Sequence, residues 1–137
     1  MSSKENPLEK GPELCLDFEK IRKVAACGQE LVPVAAQDVE TKEVLILAYA
    51  NKQALDYTIK NGVAAFWSTS RNELWVKGAT SGELLDLVEI RVNCEQNSLL
   101  YLVRPRGKGA CHTKDESGLP RRTCYYRKLE NGKLKHL

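Results

Sequence analysis

The sequence predicts an α+β fold: one domain on a mostly antiparallel, barrel-like sheet with few helices. Residues 31–36 and 44–49 are β-rich apolar runs around a polar stretch at 38–42, the pattern of a hairpin. Asn51 stands as an N-cap before Ala54, Leu55, Thr58 and Ile59, which share one helical face, and Asn61 with Gly62 supplies a left-handed stop. In the second half the period becomes that of strands, with Val88, Ile90, Val92 and Cys94 on one face and Glu89, Arg91 and Asn93 on the other. Strands outnumber helices, and no internal repeat or second core is visible.

The remaining elements follow in order. Residues 1–13 are rich in Ser, Lys, Glu, Gly and Pro and read as a flexible lead-in, leaving 14–137 as the single domain. Leu16, Phe18, Ile21 and Ala25 recur at roughly helical spacing, which predicts a short amphipathic helix over 14–26. Residues 64–68 and 73–77 are short aromatic-bearing strands joined by a polar turn, and 78–82 is a loop. Strands are expected over 84–94 and 99–103, and a last one over 124–129. Loops at 104–109 and 113–122 flank Cys111 and His112.

A chain of 137 residues has room for one core. A net charge of +3 suits a small anionic substrate but falls short of a nucleic-acid binder's footprint. No apolar window is long enough to span a bilayer, and the polar N-terminus lacks a signal peptide's apolar core, so a cytoplasmic location away from membranes is expected. There thiols stay reduced, and five cysteines are an odd number for a disulfide framework, so their clustering points to metal or catalysis.

Cys94, Cys111 and Cys124 follow a C-x16-C-x12-C spacing without the close pair of a zinc finger. Two features add weight. Cys111 is followed by His112 and preceded by Gly107, Lys108 and Gly109, where backbone can approach a ligand closely. Cys94 is flanked by Asn93, Glu95 and Asn97, three oxygen donors that would share one side of an extended backbone. Three thiolates leave the fourth tetrahedral position of Zn²⁺ open to water, whose pKa the metal lowers toward neutrality. The competing reading is a small core residue at Cys94 and two incidental thiols.

The segments AAQDVETKEVLILAYANKQAL, AFWSTSRNELWVKGATSG and GACHT…CYYR resemble the phosphoribosyl-AMP cyclohydrolase family of histidine biosynthesis. The resemblance implies hydrolysis of the adenine-ring N1–C6 bond of 1-(5-phosphoribosyl)-AMP by an intertwined homodimer with a shared zinc site. Cys94 of one chain would meet Cys111 and Cys124 of the other. His112 is the candidate general acid/base, or else an orienting residue bonded through its Nδ1. Arg71, Lys77 and Lys108 are candidates for the two phosphates, or are solvated charges. Trp67 and Trp75 would stack on the base or belong to the core. Ser68, Thr69 and Ser70 would donate to ribose or phosphate oxygens, or simply form a turn.

The family places Mg²⁺ on three alternating aspartates around its first cysteine; here they are Asn93, Glu95 and Asn97. The loss of two charges is expected to weaken that site sharply, since Mg²⁺ favours carboxylates. The interval from Cys111 to Cys124 also exceeds the family's usual C-x6-C. Two other functions remain open: a zinc hydrolase or deaminase for another purine nucleotide, and a non-catalytic, zinc-stapled nucleotide-binding dimer.

Overall fold

A computed structural model describes residues 6–137. The elements run α1 (Pro7–Lys10), α2 (Lys20–Ala25), β1 (Val32–Asp38), β2 (Val44–Ala50), α3 (Lys52–Asn61), β3 (Ala65–Ser68), β4 (Glu73–Val76), β5 (Leu85–Val92), β6 (Leu99–Pro105), β7 (Arg127–Glu130) and β8 (Lys133–His136). The class is α+β, as the sequence predicts. A four-stranded sheet in the order β2-β1-β6-β5 carries two separate hairpins, β3-β4 and β7-β8. Its end strands β2 and β5 do not pair, so this sheet is open rather than closed into a barrel. All pairings are antiparallel except β1 with β6, where Val34 pairs with Leu99 and Asp38 with Val103.

The first hairpin forms where the pattern predicts it, closed by Asp38, whose carboxylate accepts the Glu40 and Thr41 N–H groups. Asn51 caps α3 by accepting from the Ala54 N–H at 2.9 Å, and Gly62 ends the helix at φ +68°. Buried Thr58 then ties the helix to β3: its hydroxyl oxygen accepts the Ala65 N–H at 2.9 Å and faces the Ala54 and Ala65 carbonyls. The core lies between the sheet and these elements, centred on Val34, Leu45, Phe66, Leu85, Tyr101 and Val103.

Several boundaries differ from the sequence reading. The predicted helix over 14–26 shrinks to Lys20–Ala25 because Asp17 accepts the Glu19 N–H in a local turn, leaving Leu16, Phe18 and Ile21 exposed. In β5 a bulge between Leu87 and Glu89 switches the strand's parity, so Leu85 and Leu87 pack toward the core before it and Ile90 after it. That strand ends at Val92, short of the predicted Cys94. The strand expected over 124–129 begins only at Arg127 and pairs with β8 around Asn131 and Gly132. Of the expected flexible lead-in, residues 1–5 lie outside the described residues. The rest is pinned: Asn6 caps α1, and the Leu134 N–H donates to the Pro12 carbonyl at 2.8 Å.

Candidate active site

The β4–β5 loop and the chain from 109 to 124 face each other across a cleft of about 520 Å³. Lys77, at the end of the β4 segment, is almost fully buried, and its ammonium donates to the Glu83 carbonyl at 3.2 Å. The Glu83 carboxylate reaches across to the opposite loop, accepting from the Lys108 N–H at 2.6 Å and the Gly109 N–H at 3.2 Å. Glycine is needed at Gly109, where a Cβ would lie 2.4 Å from the Arg121 carbonyl, while one on Gly107 would push aside the Glu83 carboxylate, 1.8 Å away. The close approach expected at these glycines therefore serves the protein's own clamp. On the other side, Gly78 sits at φ +82°, where an added Cβ would come within 2.3 Å of the Glu83 backbone. Gly78→Ala is expected to lower stability by about 2–4 kcal/mol through combined strain and clash, read by urea unfolding.

Cys111 and Cys124 meet in this cleft despite the twelve residues between them. The Ala110 and Cys111 N–H groups donate to the Arg122 and Arg121 carbonyls, at 3.2 and 3.0 Å. Beyond them, Lys114 bridges to Pro120, and Asp115 accepts from the Ser117 and Leu119 N–H groups at 2.8 and 3.0 Å. The additional residues thus close on themselves as a small hairpin. The Cys124 N–H, donating to the Leu45 carbonyl at 2.8 Å, fixes the second cysteine against β2.

The two thiols shift each other in opposite directions. A hydrogen bond with Cys124, helped by the Thr113 hydroxyl 2.9 Å from the sulfur, draws Cys111 well below the ordinary thiol range. The same bond, then burial, pushes Cys124 up. Burial also pulls the Lys77 ammonium down, opposed by the neighbouring Cys124, Glu83 and Cys111. This pair is a soft, partly anionic donor set, suited to a thiophilic metal.

Cys94 stands elsewhere, exposed on the β5–β6 turn. Among the described residues, no group of three His, Cys, Asp or Glu gathers at metal-binding distance within the single chain. The turn also corrects the expected oxygen set. Asn93 accepts from the Asn97 and Ser98 N–H groups, both at 2.9 Å, and its amide donates to the Asn97 side chain at 2.6 Å. The backbone is turned, with Gln96 at φ +55°, so the alternation assumed for Asn93, Glu95 and Asn97 does not exist. Two of the three donors are spent on each other. The set does not fit Mg²⁺, which demands several free, hard oxygens.

Of the substrate candidates, Arg71, Trp75 and Lys77 line the cleft, as does His112. Arg71 pairs loosely with Glu73 at 3.6 Å. Trp75 packs on buried Phe66 with centroids 5.6 Å apart. Trp67, Ser68, Thr69, Ser70 and Lys108 do not line it. Trp67 donates to Asn72 across its own hairpin at 2.9 Å, and the Ser68 hydroxyl accepts the Arg71 N–H at 3.3 Å, so these residues shape the β3–β4 turn. Lys108 faces a neighbouring pocket with Asp38, Glu40 and Arg104. The sequence reading missed Glu83, Thr113 and Lys114, which the cleft or its thiol pair uses. Only the glycines opposite Glu83 hinted at the clamp.

A sequence model described as phosphoribosyl-AMP cyclohydrolase matches residues 46–126, more than half of the chain. The chain belongs to this family. A phosphoribosyl-AMP cyclohydrolase of Archaeoglobus fulgidus is 50% identical over 105 residues, 77% of this chain and 91% of that protein. One from Caulobacter vibrioides is 51% identical over 105 residues, covering 76% of this chain and 71% of its own length. A histidine biosynthesis bifunctional protein of Aquifex aeolicus is 42% identical over 104 residues, 76% of this chain and 48% of that protein. The family's matched span contains the whole Cys111–Cys124 arrangement and the Lys77 loop, but neither α1 nor the β7-β8 hairpin. No helix among the described residues is long and apolar enough to cross a membrane.

Proposed function

We propose that this chain hydrolyses the N1–C6 bond of the adenine ring of 1-(5-phosphoribosyl)-AMP in histidine biosynthesis, as a cytoplasmic homodimer that holds zinc between its subunits. The observation that carries this reading is the Cys111–Cys124 thiol pair in a cleft with a buried lysine and a histidine. Within one chain the pair is two-thirds of a three-thiolate site. Cys94, exposed on a turn, is free to complete the site of a second copy. Exposed Val44 and Leu47 on edge strand β2, and Val88 and Val92 on edge strand β5, are apolar surface that a second chain would cover.

Zinc, when bound, lowers the pKa of water so that it can attack carbon at neutral pH. The chain's own groups do the rest. Lys77 supplies a desolvated positive charge, strong in this setting because little water screens it. Arg71 and Lys114 at the cleft surface meet phosphate oxygens, and Trp75 offers a face for the base. His112 moves the proton between water and the opening ring nitrogen. No step is assigned to Mg²⁺, because Asn93 and Asn97 do not present free donors to it.

Purified protein loaded with zinc is expected to turn over 1-(5-phosphoribosyl)-AMP with about one zinc per chain, and chelator dialysis is expected to abolish the rate until zinc returns. Added Mg²⁺ is expected to change the rate by less than about twofold. Zinc with turnover of other purine nucleotides only would identify a divergent hydrolase or deaminase. Zinc with nucleotide binding and no hydrolysis would leave a binding dimer.

A further inference from the structure

We infer that Glu9 is a positioning residue for His112, delivered by a strap that residues 6–13 and the β7-β8 hairpin form together. The inference rests on the role proposed for His112. Its Nε2 lies 2.9 Å from the Glu9 carboxylate, 103 residues away in sequence. The imidazole is otherwise largely exposed, so this contact is what orients it. A carboxylate accepts but does not donate, so the pairing places a hydrogen on Nε2 and leaves Nδ1 as the ring's free acceptor.

Glu9 is itself held from several directions. Asn6 caps the short α1 segment, its side chain accepting from the Leu8 N–H at 3.0 Å. The Tyr126 hydroxyl donates to the Glu9 carbonyl at 2.5 Å. Arg127 donates to the Gly11 carbonyl at 3.0 Å and to the Leu8 carbonyl at 2.5 Å. Two bonds from β8 continue the seam: the His136 ring meets the Lys10 carbonyl at 3.2 Å, and the Leu134 N–H donates to the Pro12 carbonyl at 2.8 Å. Tyr126 and Arg127 follow directly on the Cys124 segment, so the strap is anchored at one wall of the cleft. Most of it lies outside residues 46–126, the span matched by the family model. The arrangement follows the general rule that a reactive imidazole is oriented by a partner on its other nitrogen.

The test combines kinetics with nitrogen NMR of the imidazole, read at a pH where the ring is neutral. The chain holds two histidines, so His112→Ala assigns the signals. Wild-type protein is expected to show His112 protonated at Nε2. Glu9→Ala is expected to mix the two tautomers and lower kcat about tenfold, with KM changed less than about twofold. Glu9→Gln keeps an acceptor oxygen and is expected to restore the tautomer and most of the rate. Arg127→Ala, which loosens the strap without touching the ring, is expected to shift tautomer and kcat the same way. A Glu9→Ala protein with an unchanged His112 signal, or with kcat held within about twofold, would overturn the inference. A wild-type protein that lacks turnover but shows the Nε2 tautomer, lost in Glu9→Ala, would sink the proposed reaction and leave the pairing standing.

Discussion

Cys94→Ser and Cys111→Ser proteins, each inactive alone, are expected to regain about a quarter of the wild-type rate when mixed in equal amounts and allowed to exchange subunits. The expectation comes from where the three sulfurs stand. Cys111 and Cys124 line one cleft together, whereas Cys94 sits exposed on the β5–β6 turn. A two-fold dimer with thiolates donated in trans has two sites. In a mixed dimer one site carries both substitutions and the other carries neither. Random exchange makes half the dimers mixed, and each has half its sites intact. The control is Cys111→Ser mixed with Cys124→Ser. Both substitutions then strike the same half-site, and no arrangement restores three thiolates. Mass spectrometry of labelled subunits shows whether exchange took place. Exchange without recovery in the first mixture, or equal recovery in both, would rule out a site divided in this way.

Legibility in the sequence followed the reach of each interaction. The β1-β2 hairpin and α3 were readable because their signals are local: Asp38 closes its own turn, Asn51 caps three residues ahead, and Gly62 stops the helix where it stands. The pairing of β1 with β6 was not readable, because five elements separate them and parallel partners share no turn. The β5 bulge was hidden for another reason. Val88 continues an alternating apolar pattern, and only the register against β6 shows that it is the additional residue. In the site, the cysteines could be picked out by their chemistry, but the meeting of Cys111 with Cys124 needed the ladder between 110–111 and 121–122.

The oxygen donors around Cys94 failed more instructively. The spacing of Asn93 and Asn97 suggests ligands at alternating positions, although asparagine is as much a turn former as a donor. Here the turn claims them, and the Asn93 carbonyl oxygen takes two backbone N–H groups. Glu9 and Glu83 were invisible for the converse reason. An acid's partner lies wherever the chain returns in space, 103 residues away for Glu9 and about 25 for Glu83. Long-range polar pairs leave almost no local trace.

Phe66→Ala is expected to cost about 3–5 kcal/mol and to lower the thermal midpoint by on the order of 10 °C. Phe66 is fully buried on β3, between Tyr101 of the main sheet at 5.8 Å and Trp75 of β4 at 5.6 Å, centroid to centroid. Its ring therefore joins the small hairpin to the sheet. Removing it loses the transfer energy of a large aromatic and leaves a cavity that its neighbours cannot fill. Thr58, Leu85 and Val103, also fully buried, belong to elements held in place by backbone hydrogen bonds. The effect on the site should differ from the effect on the fold. Trp75 lines the cleft and loses its backing, so KM for the nucleotide is expected to rise several-fold even where the protein remains folded. Phe66→Leu, which keeps most of the apolar volume, should recover more than half of the stability. Urea unfolding and steady-state kinetics on both variants decide the matter. A Phe66→Ala protein within about 1 kcal/mol of wild type would mean that the hairpin is not joined to the sheet through this ring.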